Sequence, residues 1–565
     1  ALQVNTTGGN NVAVGQQALY GNTTASHNTA VGYQAGYSNV TGTQVTAIGS
    51  VALFSNTATD NTAVGYGALY ANTTGTSNTA LSNSLGGNTT GSYNTALGHL
   101  SLASNTTASD NTAVGYQAGY TNTTGHSQVA IGYRASYLNS TSIRHIAIGY
   151  QANYGGTDTS DMVAIGYRAA YTSNATTSSK ANSVFVGHSS GEAGYVTTGP
   201  RNNCVYVGHE SGKQAAHTTG NFSQNVGIGH AALRANSATT GSVYYNTAVG
   251  NNAALWGGLT SSAATANTAI GYNAMRGDSF SGSSNNTAIG YNALYSVSNG
   301  RENTFIGSEA GESATGANAN VLIGYQTGKQ LTGGEMNVVV GGTMSGTSAA
   351  AGENLTTGNN NTLIGQGAGK AITTGSLNTF VGKNAGANLQ TGDRNLYVGY
   401  NIQASSASVS SEMTIHSGNA TITGKGTGTG FIKVSNESGS SGSLYQGSNS
   451  TTWATVSDRR LKKNITDSTV GLAELNQLQI RNFEYRSPEE ISELPAHQAV
   501  DVDGTQVGVI AQEIQQVFPS CVKEESTGVL RVDSDVITWH LVKAVQELSA
   551  KNDELEARLA ALESA

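Results

Sequence analysis

A short motif recurs 22 times between Asn10 and Tyr400, and this repeat constrains the fold more than any other feature of the chain. Each unit reads Asn-Thr-Ala-Val/Ile-Gly followed by small residues, and NTAVGYQAGY stands at both 28–37 and 111–120. Most units are 16 or 17 residues long, and five steps after Gly166 are 21 residues long. A fixed period of this length indicates a stack of similar coils.

Each unit begins with a pattern that is typical of a β-strand, because the run is too short for a helix and places β-branched residues two apart. The residue before the glycine is Val, Ile or Leu in all 22 units. The residue before that is Ala in 13 units and aromatic in five, namely Phe185, Tyr206, Phe305, Phe380 and Tyr397. Adjacent strand residues point to opposite faces. We therefore predict that the aliphatic column fills the coil and that the alanine column faces a close neighbour, such as another chain.

The rest of each unit predicts a turn at the glycine, a second short strand ending in Ala-Leu-Tyr or Ala-Gly-Tyr, and a polar NTTG-like loop. The predicted fold is mainly β: a parallel β-solenoid of about 22 short coils over residues 1–402, on the order of 100 Å long. A Ser/Gly-rich β-connector follows at 403–456. Residues 457–565 form a small α+β domain that ends in a coiled coil at about 535–565. One coil encloses little volume, so stability must come from stacking and from neighbouring chains.

A heptad pattern marks the last helix. Leucines recur every seven residues at Leu541, Leu548, Leu555 and Leu562, with Val545, Asn552 and Leu559 three positions before the last three. This is the seam of a coiled coil, in which a polar Asn552 helps to fix register and strand number. The alternative is a single amphipathic helix that packs on its own domain.

The repeats at residues 10–400 resemble the NSVAIG-type units in the heads of trimeric autotransporter adhesins. The resemblance implies a left-handed parallel β-roll in a homotrimer.

The chain from Ser457 resembles a second family through three ordered motifs: SDRRLKKNI at 457–465, GVIAQE at 508–513 and VFP at 517–519, followed by the heptads. This family is the endosialidase-type intramolecular chaperone, found at the C-termini of phage tail fibres and tailspikes. The resemblance implies a domain that trimerises, guides folding of the fibre before it, and cuts itself off beside the motif serine. Ser457 and Lys462 occupy the family's nucleophile and base positions.

This chemistry suits the residue types. A serine hydroxyl needs a base to take its proton, and a lysine can act as that base if burial lowers its pKa. Which bond beside Ser457 breaks stays open, and Lys463 is a neighbouring amine that could be mistaken for the base. The alternative reading is a basic surface loop without chemistry.

Three columns in the repeats are candidate binding residues. His188, His209 and His230 follow repeat glycines at 21-residue spacing, so we expect them to stack and either to hold a metal or to form a structural ladder. Tyrosines such as Tyr33 and Tyr150 fill the same slot in other units and either contact sugars or cover coil edges. An asparagine column is expected to form an amide ladder at a turn, at Asn28, Asn61, Asn94, Asn111, Asn246 and Asn267.

Composition excludes several classes of protein. The net charge of −8 argues against a nucleic-acid surface, and no apolar run is long enough to span a membrane. Cys204 and Cys521 are too far apart for a CxxC metal site. No cofactor is predicted, and no secretion signal is visible at Ala1.

We therefore predict a homotrimeric tail fibre of a phage virion that attaches to a host receptor, either a glycan or an outer-surface protein. Anchoring would come from a region upstream of Ala1, and the only enzymatic activity would be self-cleavage. The first alternative is a bacterial adhesin or host-recognition fibre at the cell surface. The second is a glycan-degrading tailspike, and the third and most remote is a transcription factor that shares the chaperone.

Overall fold

A computed structural model describes most of the chain as two compact units, Ala1–Thr455 and Val456–Ala565. The described residues are 1–156, 159–173, 179–193, 200–214, 222–235, 242–255, 264–277, 282–343, 349–418, 420–427, 429–435, 441–446, 459–487, 489–493, 504–524 and 529–564.

The first unit is a parallel β-solenoid, which confirms the predicted fold class. Each coil contributes a three-residue strand that pairs in register with the next coil, as Thr112–Val114 pairs with Val129–Ile131. The strands of the described coils are Val12–Val14, Thr29–Val31, Thr46–Ile48, Thr62–Val64, Thr79–Leu81, Thr95–Leu97, Thr112–Val114, Val129–Ile131, Ile146–Ile148, Val163–Ile165, Val184–Val186, Val205–Val207, Val226–Ile228, Thr247–Val249, Thr268–Ile270, Thr287–Ile289, Thr304–Ile306, Val321–Ile323, Val338–Val340, Thr362–Ile364, Thr379–Val381 and Leu396–Gly399.

The predicted orientation of these strands is wrong. The middle residue points inward and is fully buried, as Ala30, Ala113 and Phe185 are, whereas Val14 is 57% exposed and Ile165 is 38% exposed. Steric compensation within the coil gives the reason. A Cβ added to Gly191 would lie 2.3 Å from the Phe185 ring, and one added to Gly311 would lie 2.3 Å from the Phe305 ring. The alanine column thus shares a narrow interior with a second column, and a large residue in one requires glycine in the other.

The predicted second strand is absent from the described coils, where turns replace it. Residues such as Gln117 (φ 55°) and Leu102 (φ 48°) adopt left-handed backbone conformations in these turns. Left-handed residues break an extended strand. Two further short parallel pairs occur beside the main sheet: Val243–Tyr244 with Ala264–Thr265, and Ile402–Gln403 with Ile422–Thr423.

Two features require glycine at the end of each strand: a positive φ angle and the close approach of the next coil. Gly115 has φ +128°, and a Cβ there would lie 2.7 Å from the carbonyl oxygen of Gly132 in the next coil. The exception at this slot, Ser82, has φ 72°. The coils therefore approach so closely at this corner that a side chain is excluded from nearly every rung.

The asparagine column forms the predicted amide ladder. Asn267 Nδ2 donates to Asn246 Oδ1 at 3.0 Å and to the Ser283 carbonyl at 3.0 Å, while its backbone N–H donates to the same Asn246 oxygen. Asn94 makes the matching bonds to Asn78 and to the Ala108 carbonyl. Because these amides are buried, the ladder satisfies polar groups that would otherwise destabilise the coil.

The sheet continues beyond residue 402. Met413–His416 pairs in parallel with Leu396–Gly399 and with Gly430–Ser435, and Ser441–Gln446 returns antiparallel. The asparagine ladder ends at Glu412, which is 1% exposed. Its carboxylate accepts hydrogen bonds from the Tyr397 hydroxyl at 2.5 Å and from the Gly426 N–H at 2.6 Å.

The second unit is a small α+β domain. Its helices are α1 (Leu472–Leu475), α2 (Ala511–Val517) and α3 (Ser534–Glu563), with 3₁₀ turns at Arg459–Leu461 and Pro519–Cys521. Its antiparallel strand pairs are Arg481–Phe483 with Gln506–Gly508, and Val522–Glu524 with Leu530–Val532. Among the described residues, the core cluster has three fully buried members, Ile514, Phe518 and Cys521. A core of this size gives an isolated domain little stability.

Candidate functional site

The predicted nucleophile and base lie at the start of the second unit. Ser457 lies outside the described residues. The description resumes at Arg459, where a 3₁₀ turn ends with the Lys462 N–H donating to the Arg459 carbonyl at 3.1 Å. The side chains of Arg459, Arg460 and Lys462 are exposed in the single chain. This loop therefore stands on the surface of its unit.

The second motif, 508–513, joins a strand to a helix. Val509 packs against the core cluster, and Glu513 at the start of α2 pairs with Arg481 on the neighbouring strand at 2.8 Å. The hydrogen bond from Arg481 lowers the pKa of the exposed Glu513 carboxyl. The motif thus holds α2 against the strand pair, which is a structural role.

The third motif, 517–519, closes the same core. Phe518 is 5% exposed and stacks on His540 of α3 with ring centroids 5.3 Å apart. Pro519 begins the 3₁₀ turn that buries Cys521. The third motif therefore connects α2 to α3, and like the second motif it has a structural role.

Helix α3 confirms the predicted helix and exposes its apolar seam. The side chains at the heptad positions are more than half exposed, at Leu541, Val545, Leu548, Leu555, Leu559 and Leu562. Asn552 on the same seam donates to Glu556 Oε1 at 3.0 Å. Among the described residues of this unit, α1 packs on the first half of the helix, where the Leu472 N–H donates to Glu547 Oε2 at 2.9 Å.

Sequence reasoning missed the groove that α1 forms with α3. This groove has a volume of about 390 Å³ and is lined by Leu475, Leu478, Ile537, Leu541 and Leu548. Leu472, Leu475 and Leu478 recur every third residue, but α1 ends at Leu475, and a single helical turn is too short a pattern to be recognised in the sequence. The exposed seam and the groove form a continuous apolar surface, because both contain Leu541 and Leu548.

The solenoid carries the predicted aromatic stack. His188, His209 and His230 lie parallel, with successive ring centroids 4.9 and 5.1 Å apart. The stack continues through Tyr167 to Tyr116 and His99. No group of three His, Cys, Asp or Glu side chains among the described residues is placed to hold a metal ion.

This stacking also bears on the suggested sugar contact. Within the ladder, a tyrosine such as Tyr133 presents both ring faces to its neighbours Tyr116 and Tyr150, at 5.5 and 5.0 Å. Sugar recognition by stacking requires a free ring face, so this ladder is a structural cover for the coil edges. Tyr33 and Tyr66 occupy the same slot with no stacked ring among the described residues and are 47% and 69% exposed, so a sugar contact at these two residues stays a prediction.

The interior of the central coils contains ionisable groups that sequence reasoning did not single out. His145 occupies the asparagine column, its Nε2 lies 2.7 Å from Ser136 Oγ, and its Nδ1 has no partner. Burial, followed by the charge of Lys180, lowers the pKa of His145 to about 4. Lys180 is fully buried, donates to the carbonyls of Gly155 and Ala170, and has a pKa that burial lowers well below its usual value.

A third buried group is Arg201, which donates to the Gly191 carbonyl at 2.8 Å. Burial lowers its pKa to about 10. These groups lie where Gln128, His145, Met162, Ser183 and Cys204 interrupt the asparagine ladder. The arrangement solvates the buried Lys180 and Arg201 with backbone carbonyls. The Ser136–His145 contact pairs a hydroxyl with an imidazole, but both side chains are fully buried and His145 Nδ1 lacks the partner that would orient a catalytic base.

No described helix is both long and apolar enough to cross a membrane.

Comparison with known proteins identifies the C-terminal unit and gives the first unit its context. Residues 457–523 match the family model described as Chaperone of endosialidase. A protein of Escherichia phage Phieco32, named Probable tail fiber protein, is 30% identical over 111 residues, which cover 19% of this chain and 14% of that protein. No solved structure matches the chain. The relative's name indicates location in a virion tail fibre, and together with the solenoid these findings confirm the predicted resemblance to a phage tail fibre with a C-terminal endosialidase-type chaperone domain.

Proposed function

We propose that three copies of this chain form a tail-fibre shaft that attaches a virion to its host, and that the C-terminal unit assembles the trimer and then cuts itself off beside Ser457. The observation that carries the proposal is the exposed heptad seam of α3, where leucines such as Leu555 are left 58% exposed by the described part of the chain. A seam of this kind is stable when other helices cover it.

The size of the C-terminal core supports assembly in a second way. In the described part of this unit of about 110 residues, the buried core is Ile514, Phe518 and Cys521, and the hydrophobic side chains packed around it are only partly buried. Folding of a small domain with such a core is usually coupled to association, because association adds the missing buried surface.

The exposed position of Lys462 supports a fixed order of events. A lysine acts as a general base when it is removed from water, and the loop at 459–462 is open to water in the single chain. We propose that partner chains cover this loop in the trimer and bring Lys462 to Ser457. Cleavage would then follow assembly, so that an incompletely assembled chain keeps its chaperone.

Release of the chaperone would make the shaft kinetically stable. Once the unit that guided assembly has left, unfolded chains cannot easily reassemble, and the lifetime of the fibre depends on its unfolding rate. Host attachment follows from the likeness to a tail fibre, with a surface glycan or an outer-surface protein as the receptor.

The cleavage proposal is tested with Ser457→Ala, Lys462→Ala and the matched control Lys463→Ala. We expect the first two variants to run as full-length chains on a denaturing gel, because nucleophile or base is lost. Lys463→Ala should yield the same shaft fragment as the parent chain. Normal fragments from both Ser457→Ala and Lys462→Ala would refute the dyad.

The assembly proposal is tested on the same samples by sedimentation equilibrium. We expect a trimeric mass for the uncleaved Ser457→Ala chain. A monomeric mass at micromolar concentration would overturn the proposed fibre.

A further inference from the structure

One wall of the solenoid carries no charge along its whole length. In every described coil strand, the first and third residues point outward, and these positions hold only Val, Ile, Leu or Thr from Val12 to Val398. We call this surface the sheet face. Many of its side chains are well exposed, including Ile165 and Ile270 at 38% each.

The other walls have different chemistry. The aromatic ladder follows the sheet face on one side, where ring faces are already covered by neighbouring rings. Ionic groups lie elsewhere and pair with one another between coils: Arg168 with Glu192 at 3.0 Å, and Lys213 with Glu210 at 2.6 Å. The ring faces and charged groups on these walls therefore already have partners within the same chain.

The sheet face is large enough for a specific interface. With coils about 4.8 Å apart and strands of three residues, it is about 100 Å long and about 10 Å wide, or roughly 1,000 Å². Its third column is Val, Ile or Leu throughout, and its first column is Thr in 12 of the 22 strands and aliphatic in the others. A specific interface buries about 800 Å² on each partner.

The periodicity of the sheet face selects its occupant. Ridges of Val and Ile side chains repeat once per coil, and the surface that matches this period over 22 rungs is another solenoid with the same rise. We propose that the sheet face is the seam through which copies of this chain pack side by side in the shaft. The inference rests on the proposed homotrimer and assigns its contact surface.

Cysteine labelling tests this seam in the full chain. Ile165→Cys and Ile270→Cys place a thiol on the sheet face, and Ser127→Cys places one on an exposed polar turn as the matched control. The native Cys204 and Cys521 are buried, and the parent chain measures their background. We expect the two seam cysteines to react with a soluble maleimide roughly tenfold or more slowly than Cys at 127, because labelling requires the seam to open.

A short bifunctional maleimide provides a second measurement. It should link chains covalently through Cys at 165 and not through Cys at 127. A variant at Ile165 that loses its trimeric mass, while the Ser127 variant keeps it, would also support the seam.

The outcomes separate this inference from the proposed function. A trimer in which Ile165→Cys and Ile270→Cys label as fast as Ser127→Cys would overturn the seam and leave the trimeric fibre intact. A monomeric parent chain would overturn both.

Discussion

At the scale of single residues, the shaft depends on positions where only one residue type is tolerated. The glycine column shows this most directly, since Gly115 combines φ +128° with a neighbouring carbonyl where its Cβ would lie. Ser82 occupies the same slot with a changed φ of 72°. The backbone can therefore adapt at one rung, at an energetic cost of about 1–3 kcal/mol for a strained residue.

Gly115→Ala should lower the thermal stability of the shaft. The added methyl group would lie 2.7 Å from the Gly132 oxygen, and we expect a loss of about 1–3 kcal/mol. Gly333→Ala is the matched control, because nothing lies within 4 Å of its Cβ position. Thermal unfolding followed by circular dichroism measures both. Equal unfolding midpoints for the two variants would show that the close approach of Gly115 to the Gly132 oxygen does not affect stability.

The buried His145 should make the central coils sensitive to acid. Its pKa is about 4 in the folded chain and about 6.5 when unfolded. The unfolded state therefore binds more protons between these values, so the stability present above pH 6.5 is lost as pH falls toward 4. The full difference corresponds to about 3 kcal/mol.

His145→Gln tests this dependence, because Gln128 already occupies the same column one coil earlier. The variant should lose less of its thermal midpoint than the parent between pH 7 and pH 4.5. Parallel pH profiles for the two chains would assign the acid sensitivity to other groups.

At the scale of elements, α3 presents a seam that the described residues leave exposed. The heptad leucines predicted a coiled coil, and the structure adds that α1 packs on the N-terminal half of the helix. The groove at α1 was not predicted, because a four-residue helix carries too few periods to be recognised in the sequence.

Leu555→Lys should weaken the proposed trimer, because it places a charge at the centre of the seam. The loss of apolar burial is about 1.5–3 kcal/mol for each of three chains. Ala557→Lys adds the same side chain two residues away on the exposed outer face and should leave the mass unchanged. Sedimentation equilibrium distinguishes them, and equally trimeric variants would show that α3 does not hold the chains together.

At the scale of the whole molecule, the repeat period was enough to predict stacked parallel coils. The period could not decide which column points inward. Neighbouring strands pair in the same way whether the middle residue or the two outer residues of each strand face the interior. The deciding signal was present elsewhere in the sequence. Phe185, Phe305 and Phe380 each stand six residues before a glycine, whereas Gly227 stands six before Leu233. A large side chain in one column is thus matched by glycine in the other, which indicates that the two columns share one interior.

The proposed self-cleavage site rests on a different kind of reasoning. Ser457 and Lys462 came from a resemblance, and no physical pattern in the sequence alone would have distinguished Lys462 from Lys463. The buried Lys180 and Arg201 could not be predicted either, since charged residues in a polar repeat are expected at the surface.

The likeness of one rung to the next has a consequence for assembly. A surface that repeats every coil does not specify which coil of one chain should lie beside which coil of the next. Two shafts displaced by one coil would lose contacts only at their ends. Pairing errors of that kind would be nearly isoenergetic with the intended alignment. Correct alignment must therefore be set by a non-repeating part of the polypeptide before the repeats of neighbouring chains pack together.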